Sequence, residues 1–350
     1  MIRAGGGRDP SRCCFVVPAL DGPISGGTLY NRELCAALAE RGCQVAVCTL
    51  GDPRLGSLLA AADHAFIDSL YLDALPGLTQ SARGSFYLLT HYLPTLVIAG
   101  RAVEKAELSA PESNALDAAT GFLVTSDFMR EALEPLVAPQ KSVLVVQPGS
   151  RARLAPRATG SAARPVRALV IANLVPGKRI AALLDALSTS LREEDRLELS
   201  IIGRVDADPE YAALCARLIG QSPALSKRVI LQGALSHEDA LLALAGADLL
   251  LSASAMESYG MALGDARVTG VPIIACAGGH SAAHVVHFAG GQLVASVHEL
   301  ATACLELARE PDALAKRTES ARRGALPARP WALAAAELIS QLERLGSLEK

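Results

Sequence analysis

Short apolar runs alternate with amphipathic stretches along nearly the whole chain, and this order constrains the fold more than any other feature. Residues 13–17 form an apolar run of strand length. The next stretch repeats apolar residues at Leu29, Leu34 and Leu38 and stops at Arg41-Gly42. Strands that alternate with helices in this way build parallel sheets covered by helices on both faces. The sequence therefore predicts an α/β fold with doubly wound parallel sheets.

The alternation occurs in two series. The first predicts strands at residues 13–17, 44–50, 65–67, 86–89, 121–125 and 143–146; the second predicts strands at 167–171, 197–202, 229–232, 249–252 and 272–275. Residues 148–165 between them lack periodicity and are rich in Arg, Ala, Gly, Ser and Pro, which is typical of a connector. Because 350 residues exceed the usual size of a single core, we predict two Rossmann-like domains, residues 1–155 and 164–328, that face each other across a cleft.

The last stretch, residues 329–350, is predicted to be a helix that packs back on one of the domains. Its apolar side chains follow helical spacing at Trp331, Ala335, Leu338, Ile339 and Leu342. Ser126 and Ser236 precede two further predicted helices and are expected to cap them.

Composition excludes several classes of function. The chain has 33 Lys and Arg against 36 Asp and Glu, a net charge of −3, so bulk charge gives no reason to bind nucleic acid or an anionic membrane. No apolar run reaches the length of a membrane helix, and residues 1–12 lack the pattern of a secretory signal. The eight cysteines contain no C-x-x-C pair, which favours free buried thiols and a reducing, cytoplasmic location.

Residues 252–266 carry the strongest local pattern for a binding site. A strand ends in small residues, Glu257 follows, and a helix is expected to start near Gly260. The backbone N–H groups of Ser258, Tyr259 and Gly260 would then lie at a helix N-terminus, which attracts anions. Glu257 could accept hydrogen bonds from sugar hydroxyls, and Asp265, about two turns into the helix, could reach ribose hydroxyls.

An ordered series of motifs resembles the retaining glycosyltransferases of family 4, which have the GT-B fold. The E-x7-E signature is met as Glu257-x7-Asp265, and the other matches are Gly26-Gly27, Ser126-Asp127, residues 146–149 (Val-Gln-Pro-Gly) and residues 173–178 (Asn-Leu-Val-Pro-Gly-Lys). The resemblance covers about residues 13–325 and is closest to short bacterial members. It implies that the N-terminal domain binds the acceptor and the C-terminal domain binds a nucleotide sugar.

The resemblance also implies roles for single residues. Lys178 would face the diphosphate of the donor. Asn173 stands where the family has an arginine, so Arg179 or Arg204 would supply the second cation. Backbone N–H groups of Gly26 and Gly27 would approach the sugar or phosphate, unless these glycines only permit a tight turn. His91, after a strand of the first domain, would hydrogen-bond the donor sugar or the acceptor, or else be a structural histidine.

The histidines at 280, 284 and 287 raise the question of a metal site, because i, i+4 spacing puts two ligands on one helical face. No carboxylate or cysteine completes a set nearby, so no metal ligand is predicted. The stretch matches the family's G-G-x-x-E region, and its Glu is replaced at Ala282 or Ala283. This replacement concerns a loop that lines the sugar pocket in the family.

The resemblance implies a metal-independent enzyme with no cofactor besides its nucleotide-sugar co-substrate. It would move a hexose-type sugar, with retention of configuration, from a UDP-sugar to a hydroxyl of a small-molecule or glycan acceptor; UDP is chosen as the family's commonest nucleotide. His91, Lys178 and Glu257 would be the catalytic residues. The alternative is a degenerate GT-B-like nucleotide-sugar binder or partner subunit, because Asn173, Asp265 and the missing Glu depart from the family pattern.

Overall fold

The computed structural model describes residues 11–22, 25–79, 84–153 and 164–348, with side chains up to residue 346. Residues 1–10 lie outside this description. So do residues 154–163 of the predicted connector.

The first half of the chain forms a parallel sheet of six strands. They are β1 (Arg12–Val16), β2 (Gln44–Cys48), β3 (His64–Asp68), β4 (Ser85–Thr90), β5 (Gly121–Val124) and β6 (Ser142–Val145), in the order β2-β1-β3-β4-β5-β6. Every neighbouring pair is parallel. The carboxyl ends of all six strands therefore meet at one edge, where ligands bind in such sheets.

The second half repeats this arrangement. Its strands are β7 (Val166–Ile171), β8 (Leu197–Ile202), β9 (Val229–Gly233), β10 (Leu249–Ser252), β11 (Ile273–Cys276) and β12 (Gly291–Val294), in the order β12-β11-β10-β7-β8-β9. The alternation predicts all of these except β12, an edge strand paired with β11. Because β12 begins with Gly291 and Gln292, it has only two apolar residues and lacks the pattern of a buried strand.

Helices connect the strands and cover both sheets. They are α1 (Gly26–Glu40), α2 (Leu55–Ala61), α3 (Leu75–Leu78), α4 (Pro94–Ala99), α5 (Ala110–Ala118), α6 (Asp127–Leu133), α7 (Ile180–Ser190), α8 (Pro209–Gln221), α9 (Pro223–Ser226), α10 (His237–Gly246), α11 (Met261–Thr269), α12 (Ser281–Val285), α13 (Val297–Arg309), α14 (Pro311–Arg323) and α15 (Trp331–Leu348). Ser126 and Ser236 cap α6 and α10 as predicted. Among the described helices, none is both long and apolar enough to span a bilayer.

The last helix, α15, packs on the first sheet and not on the second. Ala334, Ala335, Leu338 and Leu342 are buried in one apolar cluster with Phe15, Tyr30 and Leu34. Gln341 also bonds both the N–H and the C=O of Val145 in the edge strand β6, at 3.2 and 2.9 Å. The prediction that the C-terminal helix packs back is therefore confirmed.

All eight cysteines are free thiols. Seven of them are buried, and Cys43 is half-buried. Their environment is the apolar interior that the sequence pattern indicated.

Candidate functional site

Loops from the carboxyl ends of the two sheets touch each other. The hydroxyl of Ser126, which follows β5, donates a hydrogen bond to the carbonyl of Ser258, which follows β10. A Cβ atom built on Gly177, after β7, would lie 2.8 Å from Cγ1 of Val97 in α4. Met256 reaches into the apolar cluster of the first domain. The carboxyl edges of the two sheets therefore face each other, as the predicted cleft requires.

Lys178 and Glu257 form an ion pair in these loops. Nζ of Lys178 lies 2.8 Å from Oε1 of Glu257, and the side chains are 28% and 14% exposed. The two residues are 79 positions apart, and each follows a central strand of the second sheet. Two residues from separate sequence motifs thus come together at the expected edge of the sheet.

The loop behind Glu257 is fixed by a close backbone approach. The N–H of His280 donates to the carbonyl of Glu257 at 2.7 Å, and Gly279 has a φ of +59°. A Cβ atom on Gly279 would lie 2.3 Å from that carbonyl oxygen. Only glycine fits both the positive φ and the contact, so Gly279 holds the backbone that carries the Glu257 side chain.

The helix after Glu257 begins with its cap at Gly260, where it was expected, so Ser258 and Tyr259 lie outside it. Gly260 caps α11 with a φ of +86°, and the helix proper starts at Met261. Ser258 and Tyr259 precede the helix, and their carbonyls accept hydrogen bonds from Ser126 and His284. The N–H groups of the first helical turn therefore belong to residues 261–263, together with that of the cap.

The Arg179 guanidinium hydrogen-bonds the backbone at the end of β10. Its Nε donates to the carbonyl of Ala253 at 2.7 Å and its Nη2 donates to the carbonyl of Ser254 at 3.0 Å. Its backbone is the one described non-glycine residue with a positive φ, at 50°. Arg179 thus holds the end of β10 in place beside Lys178, and its guanidinium is already engaged there.

Asn173 and Arg204 lie in adjacent loops after β7 and β8 and bind each other. Oδ1 of Asn173 accepts from the backbone N–H of Arg204 at 3.1 Å. The Arg204 guanidinium pairs with Asp206 at 3.0 Å, and its side chain is 24% exposed. Asn173 therefore joins two loops, while the charge of Arg204 is offset by Asp206.

Asp265 is buried and contacts the connector between the domains. The prediction placed it two turns into the helix and open to a ribose; it is the fifth residue of α11, and its Oδ1 accepts from the hydroxyl of Ser150 at 2.5 Å. Burial raises the pKa of Asp265 to about 6, and the hydrogen bond from Ser150 partly opposes this effect. In this conformation the carboxylate ties α11 to the point where the chain crosses between domains.

His91 is held by two buried polar residues of the first domain. Its Nε2 lies 2.8 Å from Oδ1 of Asn31, and the amide nitrogen of Asn31 donates to Asp68 at 2.8 Å. Burial lowers the pKa of His91, and Asp68 partly opposes this effect. A Cβ atom on Gly27 would lie 3.1 Å from the His91 ring.

Gly26 and Gly27 are the first two residues of α1, and neither has a positive φ. The interpretation of a tight turn is therefore wrong for both. Gly27 leaves room for the imidazole of His91, and Gly26 lies 3.8 Å, measured from a built Cβ, from the sulfur of Met261 across the interface. The start of α1 therefore lies between His91 of the first domain and Met261 at the start of α11.

The predicted histidine group is an aromatic cluster. His280 stacks on Tyr259 at 5.4 Å, and His284 meets the same ring edge-on at 4.8 Å. His284 Nε2 donates to the carbonyl of Tyr259 at 2.7 Å, while burial lowers the pKa of His284 to about 4. His287 has no part in it, and within the described chain no three His, Cys, Asp or Glu side chains are grouped for a metal ion. The cluster lies beside α12, in which Ala282 or Ala283 stands where the family has the expected Glu.

Three residues with contacts at the site have no role predicted from the sequence: Asn31, Asp68 and Ser150. Asp68 is a polar residue at the carboxyl end of a buried strand, which is a signal that could have been used. Asn31 lies inside a helix and contacts His91, 60 positions away along the chain. Ser150 lies in an irregular segment and contacts Asp265, 115 positions away. The local sequence gives no sign of such distant contacts.

Comparisons with known proteins agree with this architecture. A family model for glycosyl transferases group 1 matches residues 165–310. Sucrose-phosphate synthase from Thermosynechococcus elongatus superposes with a TM-score of 0.76 at 20% identity, covering 97% of this chain and 100% of that chain. HepE from Anabaena, solved with UDP and glucose, gives 0.72 at 17% identity over 95% and 99%. WaaG, a glycosyltransferase involved in lipopolysaccharide biosynthesis, gives 0.66 at 16% identity over 89% and 95%.

A search of curated proteins found no significant match. At these identities the structural likeness shows the fold, and the family model identifies the domain. Residues 165–310 therefore form a glycosyltransferase domain of group 1, and the chain as a whole has the two-domain GT-B fold.

Proposed function

We propose that this chain is a retaining glycosyltransferase of the family 4 type that transfers a sugar from a nucleotide diphosphate donor to an acceptor hydroxyl. The observation that carries the proposal is the Lys178–Glu257 pair beside the N-terminus of α11, at the carboxyl edge of the second sheet. A diphosphate joined to a sugar can be bound by three kinds of group. A cation and a helix N-terminus bind the phosphates, and a hydrogen-bond acceptor binds the sugar hydroxyls.

In the proposed mechanism the leaving diphosphate takes the place of Glu257 as the partner of Lys178. The N–H groups at the start of α11 bind the same anion, and Glu257, released from Lys178, accepts hydrogen bonds from sugar hydroxyls. The diphosphate then removes the proton of the acceptor hydroxyl on the face from which it leaves, so configuration is retained. Catalysis is electrostatic stabilisation of the leaving group plus orientation, and neither a metal ion nor a covalent nucleophile is required.

We propose UDP as the nucleotide, bound by residues 164–328, with a small-molecule acceptor bound by residues 1–155. Support for UDP comes from HepE, a structural neighbour whose structures contain UDP and UDP-glucose. Arg204 is the second cation available to the diphosphate, after exchange of its partner Asp206. The eight free cysteines support a cytoplasmic location.

The second candidate function is a nucleotide-sugar binder or partner subunit without transfer activity. The contact between Asp265 and Ser150 favours it, because a carboxylate buried in this way does not reach a ribose. The loss of the expected Glu at Ala282 or Ala283 points in the same direction. Binding without turnover is the result that would identify this function.

The two functions are separated by thermal shift followed by a transfer assay. Purified protein is heated with UDP, GDP, ADP or dTDP, in the wild type, Lys178→Ala and the control Lys316→Ala, which removes an exposed lysine of α14. A ligand at about 100 times its Kd adds about 2.7 kcal/mol to the free energy of unfolding. We expect stabilisation by UDP in the wild type and the control, and its loss in Lys178→Ala.

The transfer assay measures release of UDP from UDP-glucose with a panel of small acceptors. Removal of the Lys178 cation should lower kcat/KM by about 100-fold or more. This is the usual effect of removing one hydrogen-bond donor that stabilises the transition state of an enzyme. A change below threefold would remove Lys178 from the mechanism. Stabilisation by UDP without turnover on any acceptor would favour the binding protein.

A further inference from the structure

The side chains around His91 determine which of its nitrogens carries the proton. Asn31 and Asp68 are almost completely buried, at 0% and 1% exposure, and lie at the carboxyl edge of the first sheet. Both carboxylate oxygens of Asp68 accept hydrogen bonds. Oδ1 accepts from the N–H of Leu70 at 2.9 Å, and Oδ2 accepts from the side-chain amide of Asn31 at 2.8 Å. The carboxylate is thus fixed, and it fixes Asn31 in turn.

The orientation of the Asn31 amide follows from this contact. A carboxylate is an acceptor only, so the group of Asn31 that faces Asp68 must be its NH2. The opposite orientation would place the amide oxygen against the carboxylate oxygen with no proton between them. The amide oxygen of Asn31 therefore faces His91.

The proton position on His91 follows in the same way. Nε2 of His91 lies 2.8 Å from an oxygen that can only accept, so Nε2 must carry the proton and donate. Because Asp68 is 3.6 Å from Nε2, it is too far for a direct hydrogen bond. In a neutral imidazole the second nitrogen, Nδ1, is then a lone-pair acceptor.

The remaining surroundings of the ring leave Nδ1 available. Gly27 lies against the Cδ2 and Nε2 edge, and the Tyr30 ring packs at 5.3 Å in an edge-to-face arrangement. None of the described residues hydrogen-bonds Nδ1, and the His91 side chain keeps 13% of its surface exposed.

We propose that Asn31 and Asp68 are positioning residues that hold His91 as the Nε2-protonated neutral tautomer, so that Nδ1 accepts a hydrogen bond from a ligand hydroxyl. The ligand group at this point is therefore an O–H donor, such as a sugar or acceptor hydroxyl, and not a phosphate oxygen. The hydroxyl assignment rests on the proposed function; the tautomer assignment does not.

The tautomer is tested by NMR on protein labelled with 15N-histidine, because the shifts of the two ring nitrogens differ according to which one carries the proton. His91→Gln identifies the His91 signals. His284 is an internal control in the same spectrum, since its Nε2 faces the carbonyl of Tyr259 and must also carry the proton. We expect wild-type His91 to be protonated on Nε2 alone; a proton on Nδ1 or a mixture overturns the proposal without any variant.

Two variants then test the role of the partners. Asp68→Asn allows the Asn31 amide to turn, so His91 should become a mixture of tautomers. Asn31→Leu removes the acceptor, so the His91 ring should lose its fixed tautomer or pair directly with Asp68 as a cation. The His284 signals should stay unchanged in both variants, which shows that the fold is retained. An unchanged His91 spectrum in both would overturn the positioning role.

The ligand contact is tested by kinetics in the same two variants. We expect kcat/KM with UDP-glucose to fall by about tenfold, the scale of one lost hydrogen bond, while inhibition by UDP stays within about twofold of the wild type. Equal weakening of UDP-glucose and UDP would contradict the assignment to a hydroxyl. If the wild type shows no turnover, the proposed function fails, and the NMR result still decides whether Asn31 and Asp68 set the tautomer.

Discussion

Asp265 shows how one residue can keep its place in a motif and gain a different contact. Its position after Glu257 matches a signature in which a longer acid is usual, but the residue is only 6% exposed and its carboxyl group bonds the hydroxyl of Ser150. The same hydroxyl accepts the N–H of Ala152, and the N–H of Ser150 donates to the carbonyl of Arg329. Asp265 thus joins α11 to both segments that cross between the domains.

The burial of Asp265 is expected to make the free energy of unfolding depend on pH between about 4 and 6. The ordinary pKa of 3.8 rises to about 6 in the folded protein, so the folded state binds more protons in this range. Protonation of Asp265 therefore stabilises the folded protein fully below about pH 4, relative to high pH. This part of the free energy of unfolding is lost as the pH rises through about 6. A shift of this size corresponds to about 2–3 kcal/mol.

Urea unfolding of wild type and Asp265→Asn from pH 4 to 8 measures this effect. The stability of the wild type relative to Asp265→Asn should decrease across the range and level off above about pH 7. A difference that stays constant with pH would contradict the assignment of the raised pKa to Asp265.

The residues of the site were only partly predictable. The alternation places the loops that carry Lys178 and Glu257 at the sheet edge, and the resemblance to the family selects Lys178 within its loop. The partners that orient them were not predictable, because the Arg179 contacts to the carbonyls of Ala253 and Ser254 depend on a positive φ that the side-chain pattern does not indicate. The same holds for Asn31, whose helical position gives no sign of the contact with His91.

At the scale of elements, hydrophobic periodicity predicted almost the whole fold. Central strands such as β10 are continuous apolar runs because both of their faces are buried. The edge strand β12 is exposed in part and has no such run, so the pattern did not indicate it. The sequence also did not indicate which surface α15 packs on. A stripe of apolar residues shows that a helix packs against something, but it does not identify the partner.

The docking of α15 predicts a large difference between two leucines of the same helix. Leu338 is fully buried against the first domain, and Leu333 is 45% exposed. Leu338→Ala should lower the free energy of unfolding by about 2–5 kcal/mol, because it leaves a cavity. Leu333→Ala, the matched control, should change it by less than about 1 kcal/mol.

Fluorescence during urea unfolding provides the measurement. Trp331 is the single tryptophan of the chain and packs against Tyr30 at 5.7 Å, so its signal reports the docking of α15. Equal effects of the two substitutions would show that α15 does not complete the apolar cluster of the first domain.

At the scale of the whole molecule, the two domains are in direct contact at the site. Gly177, beside Lys178, faces Val97 of α4, and Met256, beside Glu257, is buried in the first domain. The two residues proposed to bind the donor are therefore each one position away from a contact between the domains. Closure of the cleft and the placement of Lys178 and Glu257 are expected to be coupled.

A pair of substitutions tests this coupling. Gly177→Ala puts a Cβ atom 2.8 Å from Cγ1 of Val97, so it should push α4 and the Lys178 loop apart and lower kcat/KM by about tenfold. Val97→Ala removes the clashing atom and should restore most of the activity in the double variant. Gly220→Ala, a helical glycine with open space around it, is the control and should leave kcat/KM unchanged. Failure of Val97→Ala to rescue would place the effect of Gly177→Ala within its own loop.

The path of the chain also determines when each domain can finish folding during synthesis. The ribosome releases β1–β6 first, then the entire C-terminal domain, and only afterwards residues 331–348. Until those residues emerge, the apolar surface around Phe15, Tyr30 and Leu34 lacks the helix that covers it. The domain that is translated first is therefore the one completed last, and a nascent chain halted after residue 325 would expose this surface to chaperones or to other chains.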